Sequence, residues 1–484
     1  MATPNPVLKP PVHAPYTDAV VTQEPAYQQV DGAYSDSGDE EGDDGGEGIG
    51  LISCASPVKH HQEPYCLIEY ATFLLLGVAM LWAWNMFLAA APYFQTRFSD
   101  NDRILASFQS AITSVSSATN LLSMITLMHM QSKASYPKRI LASLALNLAI
   151  FALLAISTTY FRGVLAETYF AFTLLMVLGS SVAAGLCQNG AYAFAASFGR
   201  PEYLQAIMIG QAIAGVLPSI AQIVSVLAVP ELDKYVDSGV AVLAAANENT
   251  TSALIYFTTA TVVSALCLVA IIPLIRKHSQ LVEDRDANTT ISSEEEVERS
   301  KRKVVSIWTL YKKLHWLAAA VFLCFVITMF FPVFTQKIVS VIPEDEGPQA
   351  LKPGSFIPLG FLLWNVGDLL GRLSTFVAYP DGASYRRPIM LFLFAALRSG
   401  FVPLYLLCNI ENHGAIINSD FFYLGVQQLF FGISNGWLGS YCMMDFSQYV
   451  DEGEREAAGG FMALNLVAGL TVGSLLSFSA AGVH

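Results

Sequence analysis

From residue 66 onward the chain repeats one pattern: a long run of apolar residues, a short polar break, then another run. The runs fall at 66–92, 104–131, 139–160, 166–197, 203–229, 252–275, 314–337, 356–379, 387–408, 420–446 and 456–481. Each is near or above the roughly 20 residues that carry a helix across a bilayer, where backbone amides must be satisfied within the helix itself. Eleven such runs predict an all-α polytopic membrane protein with eleven transmembrane helices. Several hold internal Gly and Pro, which predicts tilted or kinked helices. The longest polar break, 276–313, mixes acids and bases (SSEEEVERSKRK) and divides the runs six and five. That predicts a half-bundle over 66–275, a partly helical cytosolic linker over 276–313, and a second half-bundle over 314–484.

Residues 1–65 do not share the pattern. Rich in Pro, Gly, Ser and acids, with SDSGDEEGDDGGEG at 35–48, this tail has too little apolar surface to offset chain entropy and reads as disordered. It holds eleven acids against Lys9 and Lys59, so most of the formal net charge of −13 belongs to it. The chain as a whole is 54% hydrophobic and 13% charged, with mean hydropathy +0.47, whereas soluble domains carry about 25% charged residues. No basic early stretch followed by an apolar core marks a secretory signal peptide. The seven cysteines lie mostly inside apolar runs without metal spacing and read as core packing.

Lysine and arginine orient the spans. With the N-terminus in the cytosol, 18 fall on cytosolic segments and 6 on the far side, the bias that the positive-inside rule expects. The sequon Asn249-Thr-Thr then lies on the outer side as a glycosylation candidate. In the tail, Glu47-Gly-Ile-Gly-Leu51-Ile52 has the form of an acidic di-leucine sorting signal. Clathrin-adaptor coats read such signals in routing cargo to lysosomes or vacuoles, and the plasma membrane is the alternative destination.

Polar residues inside the spans are the candidate chemistry. The run FLLWNVGDLLGRLSTFVAY at 361–379 carries Asn365, Asp368 and Arg372, and steps of three and four set all three on one helical face. An ionisable group at membrane depth costs roughly 3 kcal/mol by insertion scales, so it faces a cavity or a partner. Two readings are open: the lining of a polar path, or an ion pair locking two helices. Trp82, Trp84 and Asn85 sit mid-span in MLWAWNMF, as a stacking surface with a polar neighbour or as core. Gln188 and Asn189 place amides at membrane depth. Arg398 is a gate or counter-ion, or it snorkels to a span end. Small residues four apart (Gly432, Gly436, Ser440; Gly469, Gly473, Ser477) predict close helix packing, and Gln211 interhelical glue.

No phosphate loop, metal constellation or nucleophile–base pair occurs in the chain, and no basic patch points to nucleic acid. No enzyme activity, cofactor or metal is therefore expected. A channel or a secondary transporter remains, and mixed amides with an aromatic and one ion pair suit a medium-sized polar solute.

Five blocks in order resemble the equilibrative nucleoside transporter family: LWAWNMFLAAAPYF, the 188–219 region, WNVGDLLGR at 364–372, the Arg398/Pro403 block, and SNGWLGSYCM with EAAGGFMALNLVAGLTVGSLLSF at 434–478. The resemblance, to a member of fungal vacuolar or lysosomal type, implies a major-facilitator-like fold that works by alternating access. It implies Leu81, Trp84 and Leu88, with their neighbour Asn85, against the nucleobase, Gln188 bonded to the base, and Asp368 and Arg372, with Asn365, on the ribose side. Pro332 matches a proline near the outer gate. Ala83 stands where the family often has proline, and Asn189-Gly190 departs from its usual small pair. The expected partners are a nucleoside such as adenosine or uridine, membrane lipid, and coat adaptors. The rival readings are a proton-coupled carrier of nucleobases or organic cations, and a non-transporting receptor or scaffold.

Overall fold

The computed structural model describes residues 66–131, 135–228, 239–288, 305–343, 347–376 and 387–481. The tail, with Glu47, Leu51 and Ile52, lies outside them. The helices in chain order are α1 (Leu67–Ala89), α2 (Ala91–Arg97), α3 (Asp102–His129), α4 (Tyr136–Tyr160), α5 (Ala166–Ser197), α6 (Pro201–Ala228) and α7 (Gly239–Asn288). They continue as α8 (Ile307–Thr328), α9 (Phe330–Thr335), α10 (Pro353–Ser374), α11 (Pro388–Leu397), α12 (Phe401–Tyr405), a π-helix (Phe422–Phe430), α13 (Phe431–Asp445) and α14 (Arg455–Ala481). Among the described residues the β structure is a lone antiparallel bridge between Ile338 and Ile410.

Local chemistry sets many of these ends. Proline at the first turns of α2, α4, α10 and α11 uses positions where the missing N–H has no intrahelical partner. The Asn101 side chain accepts from Ile104 N at 3.2 Å and caps α3. Asp451 and Glu454 form a capping box ahead of α14.

Ten helices among the described residues are long and apolar enough to cross a membrane. The expected crossing at 420–446 is built differently: the π-helix runs directly into α13, and Gln427, Gln428 and Asn435 interrupt its apolar character. The expected run 66–92 breaks at Ala90, where Pro92 starts α2. The run 387–408 narrows to a 3₁₀ turn at Arg398–Gly400 before α12. Helix α7 overshoots the expected 252–275 at both ends and puts Asn249 on a helix instead of the loop that a sequon suggests. The Asn249 amide donates to Thr96 Oγ1 at 3.1 Å.

Helix α1 packs on α6 and α7, α4 on α5 and α7, and α3 on α5. In the later half α8 packs on α14, α11 and α13, while α10 packs on α13. The two sets meet where α6 touches α10 and α13, and where α14 touches α5 and α3. The closest crossings are made by glycine. A methyl at Gly77 would strike the carbonyl oxygen of Ile207, and one at Gly210 that of Leu74, so α1 and α6 approach backbone to backbone. Apolar residues face lipid as comfortably as they face protein, so this contact packing, and not burial from water, holds the helices together.

Candidate functional site

Helix α6 is the hub. Its residues Met208, Gln211, Ala214 and Ser219 receive side chains from three other helices. Asn85 Nδ2 on α1 donates to Ala214 O at 2.6 Å. Asn365 Nδ2 on α10 donates to Ser219 Oγ at 3.0 Å and to Phe361 O at 2.9 Å. Tyr192 on α5 donates to Gln211 Oε1 at 3.2 Å, and Gln211 Nε2 lies 2.9 Å from Met80 Sδ on α1. Gln211 is thus the interhelical glue that its position among small residues suggested.

Asp368 and Arg372 lie one turn apart on α10 and bond each other directly, Arg372 Nε donating to Asp368 Oδ2 at 2.7 Å. They are only 4% and 6% exposed. Arg372 Nη1 also donates to Met208 O at 2.6 Å, which ties α10 to α6. Asp368 Oδ1 accepts from Asn435 Nδ2 on α13 at 2.8 Å. A buried pair holds together only when the remaining donors and acceptors find partners, and here the partners come from α6 and α13. The structure shows the ion pair of the second sequence reading: Arg372 ties α10 to α6, and Asp368 lies where α10 crosses α13.

Arg398 does not snorkel. It is 2% exposed, and its guanidinium donates to Ser434 Oγ at 3.0 Å, Cys324 O at 3.2 Å, Cys324 Sγ at 2.9 Å and Asn435 Oδ1 at 3.0 Å. The Phe431 ring lies 5.0 Å beneath it. The guanidinium is turned inward between α8 and α13, where neutral acceptors and a π face satisfy the charge. Pro332 is partly buried within α9, beside the aromatic stack of Phe331 on Trp364 at 4.2 Å.

The first-span aromatics Trp82 and Trp84 both pack against one apolar cluster with Phe87, Phe94 and Phe257. Trp82 Nε1 points to Thr259 Oγ1 on α7 at 3.4 Å, away from the hub. Trp84 is partly buried, and Leu81, Trp84 or Asn85, and Leu88 share one face of α1 by their spacing. Leu88 is 49% exposed and so not consumed by core packing. The amide pair on α5 separates. Gln188 Oε1 accepts from Asn120 Nδ2 of α3 at 3.4 Å, whereas Asn189 bonds Arg139 and contacts Met128 Sδ. Gln188 thus faces α3, while Asn189 is turned towards α4 and serves structure. Sequence reasoning did not select Tyr192, Met208, Ser219, Asn120 or Thr328 as site residues, because nothing in an apolar run distinguishes a hydroxyl or thioether that faces a partner from one that faces its own helix.

A cleft of ≈ 200 Å³ lies between α3 and α14, lined by Thr113, Ser114, Ser117, Thr471 and Ser474 among others. Ligand pockets usually take about 300 Å³ or more, so this cleft does not by itself hold a drug-sized solute.

Long helices crossing at shared glycines, with a buried carboxylate–guanidinium pair between them, define a polytopic helical membrane protein. Solved structures carry the same fold. The E. coli fucose:proton symporter FucP matches with TM-score 0.51 over 86% of this chain and 92% of its own at 14% identity. The proton:xylose symporter XylE matches with TM-score 0.52 over 85% and 86% at 10% identity. Both are major facilitator proteins, and identities this low speak to fold alone.

The chain belongs to the nucleoside transporter family, whose model matches residues 174–481. It is 29% identical to nucleoside transporter FUN26 of Saccharomyces cerevisiae, over 85% of this chain and 83% of that one. It is 28% identical to equilibrative nucleoside transporter 1 of Rattus norvegicus, over 87% and 98%. With human equilibrative nucleoside transporter 2 it shares 27% identity, over 84% and 95%.

Proposed function

We propose that the protein passes nucleosides down their gradient by alternating access between half-bundles 66–275 and 314–484, with the N-terminus cytosolic and the π-helix–α13 rod as the tenth of eleven crossings. The observation that carries this reading is the Asp368–Arg372 pair, sealed at 4% and 6% exposure where α10 meets α6 and α13. A solute reaches a carboxylate so enclosed only if helices part, which is what alternating access provides. The base rests on the α1 face of Leu81, Trp84, Asn85 and Leu88 and bonds Gln188. Ribose hydroxyls donate to Asp368, with Asn365 beside it on α10. Pro332 contributes to the outer gate. Lipid covers the outward apolar faces of the bundle.

Uptake of labelled uridine and adenosine into proteoliposomes tests the reading. Saturable flux that an imposed pH gradient does not enhance is the expected result. Strong stimulation by an inward proton gradient would replace it with a coupled carrier, and absence of any flux with a receptor or scaffold.

We further propose that Glu47, Leu51 and Ile52 engage clathrin-adaptor coats and place the protein in a vacuolar or lysosomal membrane. Fluorescent fusions carrying Leu51→Ala and Ile52→Ala together are expected to shift from internal membranes to the cell surface. A wild-type fusion already at the surface would remove the signal from consideration.

A further inference from the structure

The carboxamide of Asn435 can face only one way. Its Oδ1 accepts from Arg398 Nη2 at 3.0 Å, from the Cys324 thiol at 3.3 Å, and from the Thr328 hydroxyl at 2.6 Å. The single Thr328 proton is shared with Cys324 O at 2.8 Å. Guanidinium is a donor without an acceptor and keeps its charge in proteins, so turning the amide round would set N–H groups against N–H groups. The amino end is therefore aimed at Asp368 Oδ1, 2.8 Å away.

From this geometry we propose that Arg398 and Asn435 are positioning residues for Asp368, acting in series. Arg398 fixes the polarity of the Asn435 amide, and Asn435 with Arg372 fixes the carboxylate. Asn435 occupies Oδ1 and Arg372 Nε occupies Oδ2 at 2.7 Å. A carboxylate has about four acceptor sites, so one remains on each oxygen. Two adjacent acceptors of this kind complement two adjacent hydroxyl donors, the vicinal 2′,3′-diol of a ribonucleoside. The backbone allows the arrangement because glycines flank Asn435: a methyl at Gly432 would come within 3.0 Å of Asp368 N, and one at Gly436 would overlap Asp368 O. Asn435 is thereby held against α10, and Arg398 lies behind it, on the side away from Asp368.

The proposal rests on the reading that Asp368 meets ribose, and the test separates the two. The readout is the ratio of uridine to 2′,3′-dideoxyuridine uptake in proteoliposomes, with each variant reconstituted at equal protein. Asn435→Asp keeps the shape of the side chain but turns its donor into an acceptor facing Asp368. The ratio is expected to fall roughly tenfold, the scale of one hydrogen bond to a charged group. Thr328→Val keeps its volume and removes one of the bonds that orient the amide; a smaller fall in the same direction is expected. Arg398→Lys keeps the charge and loses the planar fork, and its ratio should fall as well. If Thr328→Val and Asn435→Asp slow both solutes alike and leave the ratio at the wild-type value, the residues are merely structural and the proposal is overturned. Should Asn435→Asp fail to fold, Thr328→Val decides alone by the same criterion. If Asp368→Asn itself leaves the ratio unchanged, the ribose reading of Asp368 fails instead.

Discussion

Asp368→Asn is expected to weaken ribonucleoside transport by about 10- to 150-fold in KM, corresponding to about 1.5–3 kcal/mol for a hydrogen bond to a charged group. The two protein partners of Asp368 are both donors: Arg372 Nε on Oδ2 at 2.7 Å and Asn435 Nδ2 on Oδ1 at 2.8 Å. An asparagine in that place has a single carbonyl. Whichever donor it serves, its own amino group confronts the other, so one donor–donor contact follows in either rotamer. The substitution also strips Arg372 of its counter-charge, and breaking a buried pair from one side costs about 3–5 kcal/mol. Thermal denaturation of the purified variant separates the loss of stability from the loss of solute binding. Wild-type saturation kinetics in Asp368→Asn, with protein of normal stability, would mean that the carboxylate does not meet the solute.

Gly436→Ala is expected to destabilise the protein by about 3 kcal/mol or more, at the upper end of what overpacking costs. A methyl there would overlap Asp368 O and lie 3.0 Å from Arg372 N, and both neighbours are backbone atoms that have no rotamer to move into. Relief requires α13 to withdraw from α10, which would also carry Asn435 away from Asp368. Melting temperature and monodispersity in detergent are the measurements. Gly453→Ala is the matched control, because nothing lies within 4 Å of its added carbon, and a change within about 0.5 kcal/mol is expected of a surface site. Equal behaviour of the two variants would show that the α10–α13 crossing is looser than its glycines indicate.

These outcomes depend on features that the sequence exposes to different degrees. The spacing of Asn365, Asp368 and Arg372 is enough to set them on one face, and the direct bond between Asp368 and Arg372 follows from it. The glycines that a four-residue rhythm marks as packing positions lie at backbone contacts: Gly432 and Gly436 of α13 against α10, and Gly469 and Gly473 of α14 against α8. Arg398 lies midway along its apolar run, where a long side chain can either snorkel or be buried, and only the packing of α8 and α13 around it decides for burial. Gln188 and Asn189, adjacent in sequence, necessarily point about 100° apart on a helix. Which of them meets α3 and which α4 is a matter of how α5 is rotated.

By itself the sequence determined the helical membrane class, most of the span positions, and which spans carry ionisable groups. These follow from requirements that act within one helix: enough apolar length to cross the bilayer, and a backbone that satisfies its own hydrogen bonds. The tertiary structure alone decided the partners: Asn435 for Asp368, Met208 for Arg372, Thr259 for Trp82, and a set of neutral acceptors for Arg398. The reason is physical. A transmembrane helix is apolar towards lipid and towards protein alike, so no amphipathic stripe records which face turns inward. Rotation and crossing are set by contacts between helices far apart in the chain, and it is there that the carboxylate of Asp368 acquires its orientation.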